Sequence, residues 1–92
     1  MDNLKVEDYD YVMAFTSHHR ALYLYEYFRK INIQTKLVSA PNKNNISCTQ
    51  ALKFKATDKA KIKIGLEKNN IYPTVVYKIV RDGKFENYEV SE

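Results

Sequence analysis

The chain has no tryptophan, one cysteine, two glycines and two prolines in its 92 residues. A single cysteine excludes an internal disulfide. A metal site built on His18 and His19 would need a third or fourth ligand, and only Cys48 plus scattered carboxylates is on offer. No CxxC, HExxH, glycine-rich phosphate loop or Ser/His/Asp spacing is present. No apolar run approaches the roughly 18 residues of a membrane span, and the opening MDNLKVEDYD lacks the basic-then-apolar pattern of a signal peptide. A cytoplasmic setting without membrane, metal or cofactor is therefore expected, and a reducing compartment suits a free thiol. The sequon-like Asn45-Ile46-Ser47 is then a coincidence.

What is present fits one small globular domain over residues 1–92, with a core at about 10–80 and peripheral stretches at 1–9 and 81–92. Hydrophobic residues make up 45% and aromatics 13%, values too high for a disordered chain. Three of the eight tyrosines, Tyr23, Tyr25 and Tyr27, fall in one helical stretch, where their amphipathic rings suit a half-buried flank or a homodimer contact. The net charge of +4 is unevenly spread: residues 20–81 hold thirteen Lys/Arg against three acids, and the ends are acidic. Either an anionic partner meets the basic middle or the acidic ends fold over it.

YVMAFT at 11–16 is short, apolar and β-rich, the pattern of a buried central strand. Thr16 and Ser17 can cap the helix that follows, where Ala21, Leu24, Phe28 and Ile31 form one stripe between about His18 and Asn32. Ile33 to Ser39 reads as a second strand, and Ala40 to Asn45 as a turn-rich loop. Ser47 to Ala56 is a third strand, with Leu52 and Phe54 facing one way and Lys53 and Lys55 the other. Thr57 can cap a second helix over 58–69 with Ile62, Leu66 and Ala60 inward. Gly65 weakens its middle by up to ~1 kcal/mol unless close packing requires it. Val75 to Val80 is a fourth strand, Arg81 to Lys84 a turn, and Phe85 to Val90 a short edge strand. The order βαββαβ predicts a ferredoxin-like, split β-α-β fold of the α+β class, its sheet mostly antiparallel with both helices on one face.

This topology carries Cys48, at the start of the third strand, to the sheet end where the first strand finishes. Thr16, Ser17, His18, His19 and Arg20 are expected there too. Helix N–H groups, a protonated histidine or Arg20 would favour a thiolate. On an α-helix His18 and His19 point about 100° apart, so one is expected to serve the thiol while the other faces water. An isolated cysteine is also commonly a small buried hydrophobe, and both readings stay open on the residues alone. Asp8 and Asp10 are read as part of a solvated N-terminal arm.

The segments YVMAFTSHHRALYLYEYF, INIQTKLVSAP and ISCTQALKF, followed by a second helix, resemble the small selenium/sulfur carrier-like proteins. The resemblance covers roughly residues 10–80. It rests on Phe15, Thr16-Ser17, Ala21, Pro41 after the second strand, and Ser47-Cys48 opening the third. Thr49 stands where that family usually has glycine, and its β-carbon narrows the approach to the thiol. The resemblance implies that Cys48 accepts sulfur or selenium from a donor protein, as persulfide or perselenide, and passes it to an acceptor, with no autonomous enzyme activity. Two other functions compete: a regulatory or structural module that dimerises or binds a protein, and an anionic-partner or nucleic-acid binder. The latter would use Lys53 and Lys55 beside Tyr11, Met13 or Phe15 on an open sheet.

Overall fold

The structure, a computed structural model, describes residues 9–41, 48–82 and 85–91. The apolar run Tyr11–Phe15 forms strand β1, and all of its residues but Tyr11 are buried. A strand covered on both faces reads as a continuous apolar run, as this one does. Ser17 then caps helix α1 (His18–Lys30) by accepting the Arg20 N–H at 3.2 Å. Strand β2 (Thr35–Ser39) and strand β3 (Gln50–Phe54) follow, then a short 3-10 turn at Ala56–Asp58, helix α2 (Lys59–Asn69), and strands β4 (Val75–Asp82) and β5 (Phe85–Val90). The sheet order is β2-β3-β1-β4-β5, every neighbouring pair antiparallel. Both helices lie on one face, so the fold is the ferredoxin-like one, with β5 added at an edge.

Both helices stop at an asparagine, in a chain with almost no glycine. Asn32 (φ 62°) and Asn70 (φ 54°) adopt the left-handed conformation. After α1, Asn32 N–H bonds the Arg29 carbonyl and Ile33 N–H bonds that of Phe28. After α2, Asn70 N–H bonds Glu67 and Ile71 N–H bonds Leu66. This paired closure satisfies the last carbonyls and folds an apolar residue, Ile33 or Ile71, back on the core. The α1 stripe therefore ends one residue early: Ile31 lies beyond the helix and is 47% exposed. Strand β2 starts at Thr35 rather than Ile33, and β3 is shorter than Ser47 to Ala56. Thr57 lies inside the 3-10 turn instead of capping α2, which starts from Asp58 with no side-chain cap; Ala60 faces solvent.

The helix-side core joins Met13, Phe15, Leu52 and Phe54 of the sheet to Leu24, Phe28, Ile62 and Leu66 of the helices. Gly65 is required by close packing: a Cβ there would come within 2.5 Å of Phe28 Cε1. A second cluster covers the other face, built on Val12, Ala14, Ala51, Val75, Tyr77 and Ile79. Val12, Ala14 and Ala51 are wholly buried, so the centre of this face is an apolar layer, with Lys53 half-buried and Lys36 exposed beside it, and not the platform of lysines beside Tyr11, Met13 or Phe15. Strand register explains the difference. Lys53 stands opposite Val12 and Lys36, whereas Tyr11 stands opposite Phe54 on the helix side and stacks on it at 5.3 Å. Tyr11, Met13 and Phe15 thus lie on the face away from Lys53, and the basic, aromatic platform expected of a nucleic-acid binder is not assembled there. Lys59 lies over an aromatic ring on the helix side, 4.8 Å from the centre of Tyr11.

Asp10 belongs to the fold rather than to a solvated arm. Its carboxylate accepts the Ala56 N–H at 2.7 Å and its carbonyl accepts the Ile79 N–H at 2.8 Å. Asp8, Ser47, most of the 40–47 loop and the tip of the Arg81 to Lys84 turn lie outside the described residues.

Candidate functional site

The antiparallel order brings the end of β1, the start of α1 and the approach to β3 to one end of the sheet. Two contacts fasten them. Thr49 N–H bonds the Phe15 carbonyl at 3.0 Å, and its hydroxyl reaches the Thr16 carbonyl at 3.4 Å. On the other flank Ala40 N–H bonds the Thr49 carbonyl at 3.4 Å, and Pro41 follows it, half-buried. Thr49 is therefore a tie between β1 and β2, a task that backbone and hydroxyl perform together.

Cys48 precedes that tie. It is half-buried and packs against the apolar cluster on the face away from the helices. His18, His19 and Arg20 start α1 with exposed side chains. Their arrangement differs from the cluster expected around the thiol. Among the described residues no hydrogen bond or ion pair joins Cys48 to any of the three. The His18 ring instead lies 3.0 Å from Gln50 Oε1, and the His19 ring meets it edge-on at 5.9 Å. The Arg20 N–H is taken by Ser17, so that donor serves the helix cap. Thiol and imidazole share one end of the sheet, the thiol leaning on the outer layer and the imidazole tied to the helix side of β3. Lys53 and Lys55, both half-buried, lie further along β3 and beyond it.

Gln50 escaped the sequence reading. Its side chain holds His18 on one side and donates to the Val38 carbonyl at 3.1 Å on the other. Only the strand register, which sets Gln50 opposite Phe15, could have brought it to notice.

A groove of about 370 Å³ lies elsewhere, between α2 and the sheet, floored by Met13, Phe54, Ile62 and Leu66. Cys48 does not line it. Among the described residues no group of three His, Cys, Asp or Glu could hold a metal ion, and no helix is long and apolar enough to cross a membrane.

These features define a small ferredoxin-like α+β domain with one half-buried thiol at the end of its sheet. The chain belongs to the family described as "Putative Se/S carrier protein-like", whose model matches residues 10–78 and so runs from β1 into the first half of β4, Cys48 included. No curated protein and no solved structure matches it.

Proposed function

We propose that the protein is a stoichiometric carrier of sulfane sulfur or selenium, with Cys48 as the carrying atom and no turnover of its own. The observation that carries this reading is the family match across the chain's single cysteine, a half-buried thiol set just before β3. A half-buried thiol resting on the apolar outer layer keeps part of its surface exposed, which a transfer between proteins needs. Donor and acceptor proteins in a reducing compartment are its partners.

The step conserves oxidation level. Cys48 gives up its proton, and the sulfur attacks the terminal sulfur of a donor persulfide. The donor S–S bond breaks, its inner sulfur leaves as a thiolate, and a new S–S bond forms on Cys48. Delivery is the same exchange with an acceptor thiolate attacking the outer sulfur. A perselenide forms by the matching attack on selenium.

Mass spectrometry after exposure to a low-molecular-weight persulfide tests the reading. The intact protein is expected to gain one sulfur atom, lose it on addition of a small thiol, and gain none as the Cys48→Ser variant. A native protein that stays unmodified while its urea-unfolded form reacts would place Cys48 among inert core cysteines and end the proposal.

A further inference from the structure

The side chain of Gln50 decides which nitrogen of His18 can exchange a proton. An amide NH₂ only donates, and an amide oxygen only accepts. Gln50 Nε2 faces the Val38 carbonyl at 3.1 Å, and a carbonyl can only accept. This fixes the orientation of the amide and turns Oε1 to His18 Nδ1 at 3.0 Å. Since Oε1 has no proton to give, Nδ1 must carry one. A neutral imidazole has a single N–H, so the lone pair then sits on Nε2. The imidazolium differs only by a proton at that same Nε2.

We infer that Gln50 is a positioning residue that locks His18 as the Nδ1–H tautomer, leaving Nε2 as the one atom where His18 takes or returns a proton at the Cys48 end of the sheet. The part played in transfer rests on the carrier reading above. There, Nε2 takes the proton that Cys48 releases, through intervening water, and returns it to the departing donor thiolate. Atoms balance as one thiol and one persulfide exchanged for another such pair. Titratable or charged groups on the described elements at this end include His19, edge-on to the ring at 5.9 Å, Arg20 beside it on α1, Cys48 itself on the segment leading into β3, and Glu67, Lys68 and Tyr72 where α2 ends. None of them accepts a hydrogen bond from Nδ1, which is the contact that sets the tautomer.

Two-bond ¹⁵N–¹H spectra of the histidine rings, on ¹⁵N-labelled protein at a pH where His18 is neutral, test the tautomer directly. A pyrrole-type Nδ1 and a pyridine-type Nε2 are expected for His18. Gln50→Ala should let the ring relax toward the Nε2–H form that an unconstrained imidazole favours. Gln50→Glu should keep Nδ1–H, because a carboxylate oxygen still accepts. The same variants, read for the rate of sulfur uptake by Cys48 near neutral pH, should show a loss of roughly tenfold for Gln50→Ala and recovery in Gln50→Glu. That is a modest share of the 10²–10⁴ that proton transfer by a positioned side chain supplies. A wild-type His18 with its proton on Nε2 overturns the inference, as does a Gln50→Ala protein that loads at the wild-type rate. If Cys48 takes up no sulfur in any variant, the carrier reading falls and the tautomer alone decides the role of Gln50.

Discussion

Helix α1 starts from a hydroxyl cap at Ser17 and buries Ala21, Leu24 and Phe28, all fully, at three- and four-residue spacing. Helix α2 starts from Asp58 with no side-chain cap and buries Ile62, Gly65 and Leu66. Both cover the same sheet face, yet α1 is secured by its own side chains and α2 by a place where it has none. At Gly65 the α2 backbone closes on the Phe28 ring, which would meet an added Cβ at 2.5 Å (Cε1) and 2.9 Å (Cζ). One further bond, Tyr23 hydroxyl to Asn69 Oδ1 at 3.1 Å, ties the helices where α1 begins and α2 ends. A helix with a strong stripe can be placed by hydrophobic pattern alone. One with a weak stripe depends on shape at a single contact.

The largest expected effect lies at that contact. Truncating the wholly buried Phe28 to alanine should cost about 3–5 kcal/mol by urea denaturation. Gly65→Ala should cost about 1–3 kcal/mol by overpacking, although alanine is the better helix former by up to ~1 kcal/mol. The ring that blocks the methyl group is buried and cannot swing into solvent. In the Phe28→Ala background both ring contacts of Phe28 are gone and only Tyr27 Cε2, at 3.2 Å, stays close, so Gly65→Ala should cost much less or become neutral. The cycle then yields a coupling within the ~0.5–3 kcal/mol seen for touching residues. A Gly65→Ala protein as stable as wild type would show that α2 is not held by close approach, and the contrast between the helices would collapse.

The helix starts should differ next. Ser17→Ala removes the acceptor of the Arg20 N–H, at a cost of ~1 kcal/mol within the range of about 0.5–2. Asp58→Ala removes no cap hydrogen bond and should stay within about 0.5 kcal/mol of wild type, as surface substitutions usually do. Equal losses at the two positions would mean that α2 has a cap of its own in solution.

Much of this was legible in the residues, and the gaps have physical causes. The β1 run, the Ala21–Leu24–Phe28 stripe and the alternation of Leu52 and Phe54 each carry their own period, and together they imply the βαββαβ order. Ile31 kept the helical spacing but fell outside α1, because spacing does not register a backbone turning left-handed at Asn32. Thr57 looked like a cap because hydroxyls cap helices, but a 3-10 turn beginning at Ala56 placed it inside the turn. The apolar outer layer was hidden because strand register decides whether Lys53 meets Tyr11 or Val12, and register is a property of pairs of strands. At the site, local sequence placed Cys48 and His18 at one end of the sheet. The Gln50 link between β2, β3 and α1 needed three elements in place before it existed.

The smallest expected effect lies where the two helices agree. Asn32 and Asn70 both take positive φ and close their helices with the same pair of backbone bonds. Glycine meets no Cβ penalty there, and asparagine is the second choice. Asn32→Gly and Asn70→Gly should therefore each raise stability by about a few tenths of a kcal/mol, the conformational gain slightly exceeding the added freedom of the unfolded chain. The helices run antiparallel, which sets these residues at opposite ends of the layer with no shared partner, so the two gains should add in the double variant. A gain at Asn32 with a loss at Asn70 would show that α2 differs from α1 at its end as well as at its start. Equal gains would confine the difference to the Ser17 cap and the Gly65 contact.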